Sequence, residues 1–417
     1  MQENRYTGTP QLMKRINKSM VLDLVKRRDA ISRADIAKEL HLSPPTVSKI
    51  VDQLVDDGWI TEMGIGESSG GRRPLLLQFN ARHGYVIGSW VGDTSLIASV
   101  ADMNGEIILK RVVNRRSAQA GKLDSTGSGV IPLEQELILL MYRTLKEAGI
   151  PADKLRGIGV AVCGITSIEK GTVVRGRYLP GWEDFPIQQV LEDEFSVPVV
   201  ADGDTFMAVL GEAWRGAGRG LDNLVRVTLG DGIGCGILIG GKPYRGFAGA
   251  AGEIGDMIVH DELGESSRAD KGGYLEEVAG LSSLVIKAQR AIEAGATSMM
   301  TQIQDEQMTP ESVLQAAVMG DHLAVALVRA LCATLGRAIA NIISVLNPEQ
   351  VILGGELGPA GELVLAEVSR DVKELLATPP PMGLSTLGRD AELYGAISLA
   401  LERVTPAVEV NYAPGTL

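Results

Sequence analysis

The sequence predicts two structural parts: an N-terminal winged helix-turn-helix domain of the α+β class, and then a larger α/β body. Two observations predict this division. Within the first eighty residues, three helical patterns precede two short strands that are joined by a segment rich in Gly and Ser. From Tyr85 onward, apolar strands alternate with amphipathic helices and several strands end in glycines, which is typical of α/β folds.

The helix-turn-helix is predicted from two helix starts. Ser32 is placed to cap one helix, and Asp35, three residues later, can reach back as in a capping box. Ser43 is placed to cap the next helix, with Pro44 at its first position, and that helix should end at Asp57. Its apolar face has helical spacing: Val47, Ile50, Val51 and Leu54. An upstream helix is predicted from another apolar set: Met20, Val21, Leu24 and Val25.

A hairpin with a basic tip is expected after these helices, from strands at residues 59–62 and 75–78. In a winged helix-turn-helix, the N-terminal side chains of the second helix of the pair meet base edges in the major groove. We therefore expect four DNA-reading residues: Pro45, Thr46, Ser48 and Lys49. Arg72 and Arg73 are expected to contact phosphate or the minor groove of double-stranded DNA. The alternative is an ordinary helical hairpin with the arginines in a solvated turn.

The charge distribution agrees with a DNA-binding N-terminal domain. Residues 1–80 carry 12 Lys and Arg against 10 Asp and Glu, a net charge of +2, whereas the remainder carries 28 against 42, a net charge of −14. This asymmetry indicates a small module that approaches phosphate and an acidic body that does not. Chance remains the alternative, because +2 is a small excess.

Composition excludes several classes of protein. The apolar content of 45% is enough for more than one core and excludes a disordered chain. No stretch approaches the ~18 consecutive apolar residues of a membrane span, and residues 1–18 have no signal-peptide core. Cys163, Cys235 and Cys332 are too widely spaced for a disulfide framework or a metal knuckle. The prediction is a soluble cytoplasmic protein.

The body is predicted to hold strands at residues 85–88, 97–101, 157–162, 225–229 and 351–355. Helices are predicted at residues 134–149 and 323–346. Glycine-rich ends follow the strands at 225–229 and 351–355, and such ends suit ligand binding at the carboxyl edge of a sheet. Glycine is in excess, with 50 of 417 residues, which agrees with many tight turns and backbone–ligand contacts.

The order of motifs resembles the ROK family of sugar repressors and sugar kinases, over nearly the whole chain from Ser32 to about Leu401. The most specific match is the glycine-rich signature at residues 246–255. Supporting matches are residues 32–34, 71–74, 179–182, and Asn347-Pro348 before the strand at 351–355. The resemblance implies an actin/hexokinase-like body of two lobes. The domains would then be residues 1–80, a first lobe of 84–200 with 388–405, and a second lobe of 201–387.

Two departures from the family concern its phosphate-binding turns. The Asp-x-Gly-Gly-Thr turn of the kinases is changed here, with Trp90 at the aspartate position, and the Gly-Thr-Gly turn has Asp231 at its centre. A carboxylate beside a polyphosphate repels it by about 1 kcal/mol even in water at 4 Å. We therefore expect no nucleotide binding and no catalytic residues, with the glycines as remnants that hold tight turns.

The family's zinc ligands are also replaced. The positions of its histidine and three cysteines hold Asp256, Ser267, Ala269 and Tyr274. No other cluster of Cys and His replaces them, and His260 by itself is a surface residue in our interpretation. We expect no zinc and no other cofactor.

The resemblance implies that the sugar-binding residues of the family site are largely kept in this sequence. Asp204 matches the aspartate that contacts a sugar hydroxyl and acts as the base in kinases, and Glu253 and Glu276 match two further glutamates. Asp256 replaces a histidine that also touches sugar. Carboxylates suit this task because each accepts hydroxyl hydrogen bonds that its charge strengthens. The alternative is that Asp204, Glu253 and Glu276 cap helices or pair with Arg245.

These features together predict a sugar-responsive transcriptional regulator, a repressor, with a catalytically inactive kinase-like body. It is expected to form a homodimer on a palindromic operator, since two-fold symmetry of the protein matches two half-sites. One alternative is an ATP-dependent sugar kinase with a DNA-binding appendage, and another is a repressor controlled by a protein partner.

Overall fold

The computed structural model describes residues 10–65, 75–92, 94–114, 131–176, 179, 181–259, 273–303 and 308–406. Its N-terminal part is a winged helix-turn-helix, as predicted. We call this part the reader domain. Its three helices and three strands are α1 (Pro10–Arg27), β1 (Ile31–Ser32), α2 (Arg33–Glu39), α3 (Pro44–Asp56), β2 (Ile60–Ile65) and β3 (Leu75–Phe79). The strands form an antiparallel sheet in the order β1-β3-β2.

Local side-chain caps start both helices of the helix-turn-helix where the sequence places them. The Ser32 hydroxyl oxygen accepts from the Asp35 backbone N–H, while the hydroxyl donates to the Asp35 carboxylate at 2.6 Å. Ser43 caps α3 by accepting from the Thr46 N–H, and Pro44 is the first helical residue. The predicted apolar face of α3 is buried. In α1, however, Met20 is exposed and Leu22 is buried instead, because the buried face lies one position further round the helix.

The first lobe is built on a five-stranded sheet in the order β10-β7-β4-β5-β6. Its strands are β4 (Tyr85–Val91), β5 (Ser95–Asp102), β6 (Ile107–Asn114), β7 (Leu155–Val162) and β10 (Val199–Gly203). Strands β4, β5 and β6 are antiparallel neighbours, whereas β7 is parallel to both β4 and β10. Also in this lobe are α4 (Leu133–Glu147), the hairpin β8 (Ile165–Ser167) and β9 (Thr172–Arg175), and α5 (Ile187–Phe195).

The second lobe repeats this topology in the order β13-β12-β11-β14-β15. Its strands are β11 (Leu224–Leu229), β12 (Ile233–Ile239), β13 (Lys242–Pro243), β14 (Gln350–Gly355) and β15 (Met382–Leu384). Its helices are α7 (Tyr274–Ala279), α8 (Leu281–Glu293), α9 (Pro310–Val318), α10 (His322–Leu346) and α11 (Gly361–Leu375). As in the first lobe, the first three strands, β11, β12 and β13, are antiparallel neighbours, and β14 is parallel to both β11 and β15. The β4–β5 and β11–β12 turns are therefore at equivalent positions in the two lobes.

Two helices cross between the sheets: α6 (Asp204–Arg215) and α12 (Ala391–Val404). Their approach depends on glycine, because a Cβ at Gly211 would lie 2.0 Å from the Ala391 carbonyl oxygen, and one at Gly395 would lie 1.8 Å from the Met207 oxygen. Since α6 follows the last strand of the first sheet and precedes the first strand of the second, this crossing connects the lobes.

Two glycines of the glycine-rich run after the strand predicted at 225–229 lie in a strand and not in a turn. Gly234 and Gly236 belong to β12, where a Cβ on Gly236 would lie 2.2 Å from the Thr205 carbonyl oxygen. Their role is therefore to admit α6 against the sheet, which corrects the prediction that this run only holds a tight turn. The edge strand β6 also has no counterpart among the predicted strands.

The reader domain and the first lobe share one apolar core. It joins residues of α1, α2 and α3 to Val86, Met103, Ile397 and Leu401 of the body. At its edge the Lys26 ammonium donates to the Met103 carbonyl oxygen at 2.7 Å. The reader is therefore fixed to the first lobe and to the C-terminal half of α12.

One helix of the described chain, α10, is long and apolar enough to cross a membrane by length and composition. It belongs instead to the core of the second lobe, with residues such as Leu331, Leu335 and Ile339 fully buried. A buried core helix has the same composition as a membrane span, so this one is weak evidence for a membrane.

Candidate functional site

A cleft of about 190 Å³ lies between the two sheets, beside the N-terminal ends of α6 and α12. The equivalent turns of both lobes border it. Three of the four predicted sugar-binding residues line it, Asp204, Glu253 and Glu276, and so do both residues that depart from the phosphate turns, Trp90 and Asp231. The structure thus brings together residues that are up to 186 positions apart in the chain.

Asp204 is the first residue of α6, and its carboxyl group has a strongly raised pKa. Burial first, and then the neighbouring Glu392 carboxylate, raise the pKa of Asp204 from 3.8 to about 7. Hydrogen bonds from the Trp90 indole and the Thr205 backbone lower the pKa in part. The Trp90 Nε1 donates to Asp204 Oδ2 at 3.4 Å. Near neutral pH this side chain is therefore both a hydroxyl acceptor and a carrier of a proton.

Glu253 and Glu276 approach the cleft from the second lobe. Glu253 follows Gly252, whose φ of +88° and close contact with the Cys235 carbonyl oxygen, 1.8 Å from a Cβ placed there, require glycine. Glu276 lies in α7, where its Oε2 accepts from the Ile233 N–H at 3.4 Å. The signature loop therefore presents one glutamate, and α7 presents the other.

Asp256 does not line the cleft. It ends a short 3₁₀ helix, Ile254–Asp256, and its side chain is exposed. The structure thus separates it from the three carboxylates with which the sequence grouped it, because the turn after Glu253 carries it to the surface.

Arg245 forms its ion pair with Asp202, at 2.6 Å. The Asp202 carboxylate is fully buried and also accepts from the Thr166 hydroxyl at 3.0 Å. This contact joins the signature loop of the second lobe to β10 of the first. The sequence alternative paired Arg245 with Asp204, Glu253 or Glu276, whereas the pair in the structure is with Asp202, two residues before Asp204.

The two turns that the resemblance assigns to phosphate binding carry Trp90 and Asp231, and both side chains lie at the cleft. Trp90 lies at the end of β4, and its ring rests over Gly92, where a Cβ would come within 2.5 Å of the indole. Asp231 lies in the β11–β12 turn, beside the N-terminal end of α8, where it accepts a hydrogen bond from the Ser282 hydroxyl. A carboxylate at a helix N-terminus occupies the place that favours a bound anion.

A buried ion-pair group adjoins the cleft, and the sequence analysis did not identify it. Arg226 is 1% exposed, its Nη2 lies 3.4 Å from Glu392 Oε1, and its Nε lies 4.0 Å from Glu212 Oε1. Its Nη1 donates to Thr228 Oγ1 at 2.5 Å. The available signal was a single arginine within the apolar strand at 225–229. Nothing local points to Glu212 or Glu392.

Two of the four residues at the family's zinc positions, Asp256 and Tyr274, lie in the part of the chain that the structure describes. Asp256 is exposed and Tyr274 begins α7, whereas Ser267, Ala269 and His260 lie outside the described residues. Within the described part of the chain, no group of three or more His, Cys, Asp or Glu side chains is arranged to hold a metal ion.

The predicted DNA-reading residues lie in the first turns of α3. Pro45 and Lys49 are exposed, and Thr46 and Ser48 are partly exposed. The Thr46 hydroxyl is 2.7 Å from that of Ser43, and Arg33 donates to the Ser48 carbonyl oxygen, so α3 is held at its start and from α2. Arg72 and Arg73, at the predicted tip of the wing, lie outside the described residues.

Comparison with known proteins agrees with this two-part structure. A model of the MarR family matches residues 16–63, and a model of the ROK family matches residues 90–403. The xylose repressor of Caldicellulosiruptor bescii is 30% identical over 368 residues, which cover 88% of this chain and 90% of that protein.

Solved structures with a similar fold include these two. One is a ROK family transcriptional regulator, a homologue of the E. coli MLC protein, with a TM-score of 0.77, 24% identity, and coverage of 94% of this chain and 97% of that one. The other is a ROK family glucokinase from Streptomyces griseus in complex with glucose and AMPPNP, with a TM-score of 0.64, 27% identity, and coverage of 76% and 100%. The protein belongs to the ROK family.

Proposed function

We propose that this protein is a sugar-responsive transcriptional repressor, with a winged-helix reader and a kinase-like body that does not phosphorylate. The proposal rests on one observation: helix α12 connects the cleft of the body to the core of the reader domain. Glu392 in the first turn of α12 lines the cleft, and Ile397, Ala400 and Leu401 of the same helix belong to the core of the reader. A ligand that moves the lobes therefore moves the helix on which the reader is mounted.

The related proteins support the same function. The C. bescii relative is named a xylose repressor, and it aligns with both the reader and the body. A cytoplasmic location and a homodimer on a palindromic operator complete the proposal, because half-sites on B-DNA are about 34 Å apart and a two-fold axis supplies two readers. A change in reader spacing then weakens binding to both half-sites at once.

The test measures operator binding with and without sugar. DNA selected by the protein from a random-sequence library serves as the operator, and fluorescence anisotropy gives its Kd over a panel of pentoses and hexoses. A coupling of about 1–3 kcal/mol changes operator affinity about 5- to 150-fold. Glu253→Gln and Asp204→Asn should abolish this response, whereas Asp153→Asn, an exposed aspartate of the first lobe, should keep it.

Two results would contradict the proposal. If no sugar changes operator affinity by more than twofold, the protein is not sugar-responsive, and control by a protein partner becomes the better account. If Glu253→Gln and Asp204→Asn both respond like the unaltered protein, the effector binds elsewhere. Operator binding in the absence of sugar should be nearly equal in all variants, because none of the changes touches the reader.

A sugar kinase is the second candidate, and one observation favours it. Asp204 has a pKa of about 7, which suits a general base at neutral pH. Trp90 and Asp231 argue against it, since both occupy the phosphate turns. An ADP-release assay with ATP, Mg²⁺ and the same sugar panel separates the two functions. Turnover above the no-sugar background, lost in Asp204→Asn, would establish the kinase.

A further inference from the structure

Trp90 has a defined position in the cleft. Its indole lies over Gly92, where any side chain would collide with the ring, and its N–H is directed at Asp204 Oδ2, 3.4 Å away. Two contacts therefore fix the Trp90 side chain: its ring packs against the β4–β5 turn, and its N–H donates to the first residue of α6. The N–H occupies one lone pair of the Asp204 carboxylate, which has about four acceptor sites, so the same side chain can still accept from a ligand hydroxyl.

The charges around Trp90 are predominantly negative. Among the described residues that line the cleft, six are acidic: Asp204, Asp231, Glu253, Glu276, Glu356 and Glu392. Arg389 is the one basic residue in this lining, and it donates to Glu356. Two charges of the same sign at 4 Å repel by about 1 kcal/mol in water and by about 4 kcal/mol at the lower effective dielectric near a protein surface. A phosphate group entering this cleft would meet several such carboxylates.

We propose that Trp90 is a specificity-determining residue of the effector site, and that it restricts the effector to an uncharged monosaccharide and excludes the corresponding sugar phosphate. This inference rests on the proposed function, in which the cleft binds a sugar. The indole would offer an apolar face to the C–H groups of the sugar ring, and it would occupy the space beside Asp204 that a phosphate ester on the bound sugar would need. The carboxylates would accept hydrogen bonds from the sugar hydroxyls, whereas a doubly ionised phosphate has no proton to donate in the place of the esterified hydroxyl.

The experiment is isothermal titration calorimetry of the full chain with matched pairs of probes. The pairs are D-xylose and D-xylose 5-phosphate, D-glucose and D-glucose 6-phosphate, and N-acetyl-D-glucosamine and its 6-phosphate. Each is titrated into the unaltered protein and into Trp90→Phe, Trp90→Ala and Trp182→Phe. Trp182 is the control because it is buried in the first lobe, it does not line the cleft, and its indole nitrogen has no hydrogen-bond partner among the described residues.

The expected results differ among the variants. The unaltered protein and Trp182→Phe should bind one sugar at least tenfold more tightly than its phosphate. Trp90→Phe keeps an aromatic ring and loses one donor, so affinity for that sugar should fall about fivefold while the preference over the phosphate remains. Trp90→Ala should lose about tenfold or more in affinity for the sugar, and its preference over the phosphate should shrink by a similar factor. A purely structural role would not change this ratio.

Three results would overturn the inference. If the unaltered protein binds a phosphate as tightly as its parent sugar, or if Trp90→Ala keeps the full preference, Trp90 does not set specificity and the proposed function still stands. If no sugar and no phosphate binds, the proposed function fails and this inference fails with it. Operator binding without sugar verifies that Trp90→Ala is folded, and Trp90→Phe serves as the conservative variant if it is not.

Discussion

Asp204 is expected to lower the stability of the folded protein above neutral pH, so that Asp204→Asn should be the more stable protein there. Burial raises the pKa of Asp204 from 3.8 to about 7. A carboxyl whose pKa is raised by folding contributes stability that is complete below pH 3.8 and is lost as the pH rises through about 7. Since each tenfold change in proton affinity corresponds to about 1.4 kcal/mol, the loss at pH 8 is about 4 kcal/mol.

The assay compares thermal unfolding of the variant and the unaltered protein at pH 4.5 and pH 8. The neutral amide avoids the buried charge, so the advantage of the variant in free energy of unfolding should grow from about 1 kcal/mol at pH 4.5 to about 4 kcal/mol at pH 8. For a body of about 320 residues, the larger value corresponds to an increase of about 6 °C in Tm. Asp153→Asn, an exposed aspartate of the first lobe, should stay within about 0.5 kcal/mol at both pH values.

The refuting result is a variant that is no more stable than the unaltered protein at pH 8, or one whose advantage is equal at both pH values. Either outcome would mean that Asp204 is ionised at little cost in the folded protein. The gain in stability should coincide with loss of the sugar response, because the same carboxylate is proposed to bind the effector.

Three further predictions concern other parts of the molecule. Arg226→Met should lower the free energy of unfolding by about 3–5 kcal/mol, because it leaves two buried carboxylates without their cation; urea unfolding measures this, and a loss under 1 kcal/mol would contradict it. In electrophoretic mobility shifts, Thr46→Ala or Lys49→Ala should mainly reduce preference for the selected operator, whereas Arg72→Ala should weaken binding to all sequences; three unaffected variants would disprove the reader assignment. Atomic absorption should find well under one zinc per chain, and chelators should leave the Tm unchanged; a stoichiometric content would show that the segment after Asp256 still holds metal.

Much of the reader could be predicted from the sequence because its signals are local. Ser32 and Ser43 cap their helices through contacts within three residues, and Pro44 marks the first turn of α3. Such interactions depend on neighbouring residues alone, so the pattern of the sequence is sufficient to locate them. The strands at 225–229 and 351–355 could also be predicted, because each is a short run rich in aliphatic residues, the first followed by glycine and the second ending in it.

The shape of the cleft was decided by the tertiary structure. The sequence grouped Asp204, Glu253, Glu276 and Asp256, but the direction of the chain after a glycine-rich turn sets which side chains reach the cleft, and Asp256 does not line it. The contact of Trp90 with Asp204 spans 114 positions, and no local pattern encodes it. The sequence indicated a change in the phosphate turn, and the fold shows that the new side chain lies against Asp204.

The sequence by itself determined the two parts of the protein and their order along the chain, and it predicted which residues depart from the family at its phosphate and zinc positions. Only the tertiary structure decided that the parts share a core and that α12 connects the cleft to the reader. The physical reason is range: caps and amphipathic faces depend on residues within a few positions of one another. Burial of Arg226 with Glu212 and Glu392, by contrast, depends on how whole sheets and helices pack together.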